Sequence, residues 1–194
     1  MFKTLAANVL PFTIWFLLTF AALLALWRFI SPLYAETMAV TGERVLRTLS
    51  LLPQGSRLAA QDNRVWVARP VTRTDGTSAT AGLNVLDEAT YFNLVIFLSL
   101  IVATPALSWR RKGLASLTGL AALAALHLLD LYVKLKWTAI YPGLRMSGVI
   151  PEPASPITLK TFEWLFAFFS VIGFGLFPVV IWIGVVSLWK LRHA

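Results

Sequence analysis

Arg110, Arg111 and Lys112 lie in the short segment Trp109 to Gly113, between two long apolar runs with almost nothing else polar nearby. A basic turn between two hydrophobic segments is the sequence form of a helical hairpin that returns on the cytoplasmic side of a bilayer. This hinge therefore constrains both the class of the fold and its orientation. Composition agrees: the chain is 58% hydrophobic and 13% charged, with mean hydropathy +0.73, against about 25% charged residues in soluble domains. The expected class is an α-helical integral membrane protein. Its 194 residues make a single membrane domain, 1–194, with room for a few spans and one small module.

Four runs reach the roughly 20 apolar residues needed to cross a hydrocarbon core: 9–27, 91–109, 114–133 and 162–189. Tryptophans fall near several of their ends (Trp27, Trp109, Trp137, Trp164, Trp189), where an indole favours the headgroup level. Pro11, Pro105 and Pro178 are read as kinks within or near spans. Lys3, Arg110, Arg111, Lys112, Lys190 and Arg192 collect on one face in very short segments without an acid, which marks that face and both termini as cytoplasmic. Between Arg28 and Glu88, seven arginines are offset by six acids, so this segment is placed outside. The N-terminal run followed by Leu33-Tyr34-Ala35 superficially resembles a signal peptide, but its apolar core exceeds the roughly 7 to 15 residues of one. It is expected to stay as a span.

The outer segment 36–88 carries two patterns. From Glu36 to Leu52, the residues Met38, Val45, Leu46, Leu49 and Leu52 gather on one helical side, which predicts an amphipathic helix along the membrane surface. After Pro53-Gln54-Gly55 the period changes, and Arg57 to Ala60, Arg64 to Val71 and Thr77 to Val85 read as strands. Gln61-Asp62-Asn63 and Asp75-Gly76 supply the turns of a three-stranded meander. Three strands are marginal alone, so the sheet must pack on a helix, the membrane or a partner. The second outer loop, Lys136 to Thr161, is proline-rich. On the third span, Ala115, Ser116, Gly119 and Ala122 recur at spacings that allow close helix approach.

The +8 charge sits beside apolar segments, where anionic lipid headgroups are the natural partner; nucleic acid is not expected. With no cysteine, the chain offers no thiolate metal site and no cysteine nucleophile. No GxSxG elbow, HExxH, P-loop or dinucleotide fingerprint is present, and two histidines, His127 and His193, cannot build a multi-histidine metal site. No cofactor, metal or catalytic residue is predicted.

His127, Asp130 and Lys134 are the exception in an apolar helix. Ionisable groups within a span are costly, and offsets of three and four residues put all three on one side. Arg28, Asn93 and Glu163 are expected to join them near the outer leaflet. Such a cluster can be an ion pair that pins helices, a His/Asp acid-base relay, or a site for a partner's polar terminus or a lipid headgroup.

The stretch from Leu83 to Trp137 (LNVLDEATYFNLVIFLSLIVATPALSWRRKGLASLTGLAALAALHLLDLYVKLKW) resembles the small membrane proteins that accompany bacterial exosortases, in particular the exosortase H-associated membrane protein. The shared layout is a first span ending near a Trp, a strand-rich outer segment, a polar start to the second span, a basic hinge, and a last span finishing in basic residues. The chain departs from exosortases themselves, which use cysteine, arginine and histidine. It reads Ala89-Thr90-Tyr91 and His127-Leu128-Leu129-Asp130 at the corresponding places, so no catalytic residue carries over. The resemblance implies a non-catalytic accessory or assembly subunit of an inner-membrane complex, with a larger integral membrane protein and membrane lipids as partners. Two alternatives stand beside it. One is a structural subunit of an energy-transducing or pigment complex, with the aromatic run Phe162, Trp164, Phe166, Phe168, Phe169, Phe174 and Phe177 facing lipid or cofactor. The other is a small enzyme or transporter working through His127 and Asp130.

Overall fold

The computed structural model describes residues 2–105 and 107–191. The side chains of Lys3, Phe174, Trp189 and Lys190, and the whole of Arg192 and His193, lie outside the described residues. The order is α1 (Phe2–Thr48), β1 (Arg57–Gln61), β2 (Arg64–Thr72), β3 (Ser78–Leu86), α2 (Glu88–Tyr91), α3 (Asn93–Ala103), α4 (Trp109–Ile140), a 3₁₀ segment (Pro142–Ser147), α5 (Pro156–Ala167), a π-helical segment (Phe168–Gly173) and α6 (Phe174–Leu191).

Two helices are long and apolar enough to cross a membrane, Val9–Thr48 and Trp109–Ile140. The expected amphipathic surface helix does not separate from the first span: helix continues through Pro11 and Pro32 to Thr48. At 1.5 Å per residue its last 40 residues reach about 60 Å, twice a hydrocarbon core of about 30 Å. The helix is thus longer than such a layer is thick, and the predicted span and the predicted surface helix are parts of one continuous helix.

The other two predicted spans are delivered differently. Residues 91–109 do not form one helix. Only Asn93–Ala103 is continuous, and its 11 residues rise about 17 Å. Pro105 is a terminator here, not a kink: the residue before a proline is driven out of the α region, and Thr104 is extended (φ −67°, ψ 110°). The run 162–189 is also broken. Pro156–Val171 and Gly175–Leu188 are bent by 78° about the π-helical segment, and count as a third membrane-length unit only when taken together. Pro178 stays within α6. Ser155 caps α5 by accepting from the Thr158 N–H at 3.1 Å, with Pro156 in the first turn.

The basic hinge is likewise displaced. Arg110, Arg111 and Lys112 belong to the first turn of α4, and the reversal lies in the segment before it. Lys112 reaches back to donate to the Val102 carbonyl at the end of α3, and its ammonium lies 4.9 Å from the centre of the Trp109 ring. A cation at a helix start opposes the macrodipole of α4, but here it also meets a carbonyl left open at the C-terminus of α3.

The three-stranded antiparallel meander forms as expected, in the order β1-β2-β3. Asp62 and Asn63 take positive φ (50° and 58°) between the paired Gln61 and Arg64, the conformation of a two-residue primed turn. Val65, Val67 and Val71 are all buried on one face. The sheet packs on α1 and α4, so the helix that outlasts the membrane is what completes its core. Glu43 of α1 accepts from the Leu58 N–H at 2.9 Å and from Arg47 at 2.7 Å. On the other side, buried Arg69 donates to the Thr138 carbonyl at 3.0 Å, and Ile150 N–H donates to the Thr72 carbonyl at 2.8 Å. Burial pulls the Arg69 guanidinium below its ordinary value, and the Glu152 carboxylate partly offsets this.

The helical core depends on one close approach. Ala115, Gly119, Leu123, His127 and Leu131 form a buried ridge on α4 at four-residue steps. The Phe97 ring of α3 lies where a Cβ on Gly119 would stand. At the far end, Thr104 Oγ1 accepts from the Trp182 indole N–H at 2.9 Å, tying α6 to α3. Trp27, expected at the headgroup level, is instead buried near Tyr34.

Gly119→Leu should drive Phe97 off the ridge and lower stability by about 1–3 kcal/mol, the usual range for overpacking. Thermal unfolding in detergent reads this, and Phe97→Leu on the same background should recover part of it. An unchanged unfolding temperature for the single variant would show that α3 and α4 do not meet here.

Candidate functional site

The end of the α4 ridge is polar. His127 and Asp130 are each 2% exposed, as is Asn93 at the start of α3. The Lys134 ammonium is 2.9 Å from Asp130 Oδ2, one helical turn on, and the Lys134 side chain is 13% exposed. The sequence spacing of these residues is therefore realised as a buried, mostly enclosed ion pair.

Two residues expected in the cluster are not part of it. Arg28 and Glu163 are both exposed, Arg28 on the outer side of α1 and Glu163 on the outer side of α5. Helical phase explains this: Trp27 and Ser31 are the neighbouring α1 positions that turn inward. Asn93 joins the cluster as expected.

Several members have no ionisable signature strong enough to be found by spacing. The Tyr34 hydroxyl is 2.8 Å from His127 Nδ1. Tyr34, Tyr91 and His127 stack edge-to-face in a triangle, with ring centres 5.0, 5.8 and 5.9 Å apart. When the Tyr34 phenol donates to Nδ1, the imidazole proton resides on Nε2. Asp87 caps α2: its Oδ1 accepts from the Thr90 N–H at 3.1 Å and the Thr90 hydroxyl at 3.0 Å. Ser31, fully buried on α1, donates to Glu88 at 3.3 Å. Tyr34 was visible in the sequence only as part of the Leu33-Tyr34-Ala35 segment, and its role depends on α1 being one straight helix.

Asp87, Thr90, Asn93, His127, Asp130 and Lys134 line a cavity of about 250 Å³ beside the π-helical bend. One wall is polar (Asp87, Thr90, Asn93, His127, Asp130, Lys134). The other comprises Leu126, Phe169, Gly173 and Phe177, with Ser170 at the bend. Three buried atoms of the polar wall have no hydrogen-bond partner: Asn93 Oδ1, Asp130 Oδ1 and His127 Nε2. Tyr91 OH, behind them, is also unpaired. Unsatisfied buried polar atoms are rare in native proteins and call for a ligand, an ion or water. π-helical segments recur at such places, because an extra residue in the turn opens the helix.

The basic segment Arg110 to Lys112 forms no site with these groups; it lies at the opposite end of α4. Most of the aromatic run packs internally. Phe162 meets Tyr132 and Phe166 meets Trp137, with ring centres 6.0 and 5.9 Å apart. Phe168, Phe169 and Phe177 cluster at 5.5–5.8 Å. Among the described side chains of the run, only Trp164, 64% exposed, faces outward to a large extent. Among the described residues no group of three or more His, Cys, Asp or Glu side chains is arranged to hold a metal.

Lys134→Met should leave the Asp130 carboxylate buried without its counter-ion and cost roughly 3–5 kcal/mol, whereas the paired change Asp130→Leu with Lys134→Met should restore much of it. Chemical unfolding of both variants in the same detergent makes the comparison. If the single variant is as stable as the parent, the pair does not hold the helices together.

Comparison with known proteins finds no matching family model, no matching curated protein and no matching solved structure.

Proposed function

We propose that this chain is a non-catalytic accessory subunit of a bacterial inner-membrane complex, crossing the bilayer four times with both termini in the cytoplasm. In this topology α1 and α4 are full spans, α2 and α3 together form a short one, and the bent α5–α6 unit supplies the fourth. The strand module and the 3₁₀ segment then sit outside. The distribution of basic residues supports the orientation, since Arg110 to Lys112 lie at the start of α4 and the sheet contacts its far end.

The observation that carries the accessory reading is the surface of α1. None of the residues in its most apolar stretch is buried within the chain, against a third for α4. Beside it runs an apolar groove of about 460 Å³ between α1, α3 and α4, lined by Leu23, Trp27, Ile30, Leu94, Leu98 and Ala124 among others. The lining is almost wholly apolar, and Ala121 and Ala124 on α4 leave room in it for the side chains of another transmembrane helix. The partner is a larger integral membrane protein. An exosortase-type sorting enzyme is the specific case favoured by the sequence layout, in which the outer module steers or caps a substrate at the outer leaflet.

The alternative of a pigment or energy-transducing subunit draws less support, because most of the phenylalanines that would face a pigment pack on other aromatic rings of the chain. A relay through His127 and Asp130 is also less favoured, since Tyr34 and Lys134 already engage these two side chains.

Co-expression with an exosortase-type enzyme tests the proposal. A photo-crosslinker at Ile30 should give one discrete adduct with that enzyme, and Ala124→Trp, which fills the groove, should reduce recovery of the complex about tenfold, equivalent to about 1.4 kcal/mol. Adducts to lipid alone, with recovery unchanged by Ala124→Trp, would remove the basis for an assembly role. Reporter fusions placing positions 75 and 111 in one compartment would overturn the topology.

A further inference from the structure

The depth of the polar cavity can be read from α4. Arg111 and Asp130 are 19 residues apart on one continuous helix, a rise of about 28 Å at 1.5 Å per residue. The hydrocarbon core is about 30 Å thick. With Arg111 at one interface, Asp130 lies at the other, and Lys134 stands one turn further out. The cavity is therefore level with lipid headgroups, and its apolar wall belongs to the bent α5–α6 unit, where neighbouring Val171 is 78% exposed.

The unpaired atoms specify a ligand. Asn93 Oδ1 and Asp130 Oδ1 accept hydrogen bonds and cannot donate them. The Asp87 oxygen not engaged by Thr90 is a third acceptor on the same lining. Two carboxylates face one ammonium, Lys134, so the lining has room for one more positive charge. Across the cavity, Phe169 and Phe177, with ring centres 5.5 Å apart, form an apolar wall.

We propose that this cavity binds a primary ammonium group carried by the headgroup of an aminophospholipid such as phosphatidylethanolamine. The ammonium has three N–H donors for the three acceptors. A quaternary choline headgroup has none and would leave Asn93 and Asp130 unsatisfied. Lys134 commits one proton to Asp130, and its others are free to meet the adjoining phosphate. The inference rests on the membrane placement proposed above but not on any protein partner.

Native mass spectrometry of the full chain in neutral detergent, titrated with short-chain phosphatidylethanolamine, phosphatidylcholine or phosphatidylglycerol, tests this directly. Phosphatidylethanolamine should be retained about tenfold better than phosphatidylcholine, the scale of one charge-assisted hydrogen bond. Asn93→Ala and Asp130→Asn should each abolish that preference. Asn93→Ala leaves no buried charge exposed, so it remains informative if Asp130→Asn fails to fold, and the lipid comparison on the parent chain needs no variant. Equal retention of the two zwitterionic lipids, preference for phosphatidylglycerol, or a preference untouched by Asn93→Ala would overturn the proposal. Free ethanolamine should compete only at much higher concentration; binding as tight as the lipid's would assign the site to a soluble amine and overturn the lipid source. Carbonate-resistant fractionation reports membrane placement separately, so loss of lipid preference in a chain that still fractionates with membranes counts against this inference alone.

Discussion

The steric gap at Gly119 governs the arrangement of the helices. Without a Cβ there, the Phe97 ring settles against the backbone of α4, which brings α3 close to α4 at this point of the ridge. In a bilayer no hydrophobic driving force separates helix from lipid, so packing of this kind and interhelical hydrogen bonds carry the association. The site inherits its geometry from the same contact: α3 begins at Asn93 and α4 carries His127 and Asp130, so their approach sets the width of the cavity.

A second constraint comes from mismatched lengths. Both α1 and α4 outlast the hydrocarbon layer, and their excess lies at the end where the sheet packs. The meander buries Val65, Val67 and Val71, and three strands could not hold this face dry unaided. Arg69 on the Thr138 carbonyl and Glu43 on the Leu58 N–H anchor the sheet to the projecting helix ends through charge-assisted bonds. The strand module is thus a continuation of the helical bundle.

The polar cluster sits where the two constraints meet. On the proposed membrane placement the Asp130–Lys134 pair is tolerable because it lies at the edge of the apolar layer, and because each partner neutralises the other. Its satisfaction is incomplete, however, and three of the atoms left over, on Asn93, His127 and Asp130, belong to residues that line one cavity. A pair with a purely structural role would be expected to use all its bonding capacity.

Much of this was legible in the chain. The membrane class, the meander with its turns at Asp62-Asn63 and Asp75-Gly76, and the shared side of His127, Asp130 and Lys134 all follow from local periodicity and turn chemistry, which neighbours in sequence decide. Apolar runs do not report where helix stops, so residues 91–109 and 162–189 read as straight spans; Thr104 before Pro105 and the π-helical bend divided them. Proline signalled opposite outcomes, passing within helix at Pro11, Pro32 and Pro178 and ending it at Pro105, where Thr104 is extended. Spacing could not show that Arg28 and Glu163 turn outward or that Tyr34 and Tyr91 close on His127, since those depend on the rotation of one helix against another. The sequence by itself determined which segments are apolar and which residues share a helical face. Only the tertiary structure decided which faces meet, because packing a ring against Gly119 is a contact between residues distant in the chain that no local pattern encodes.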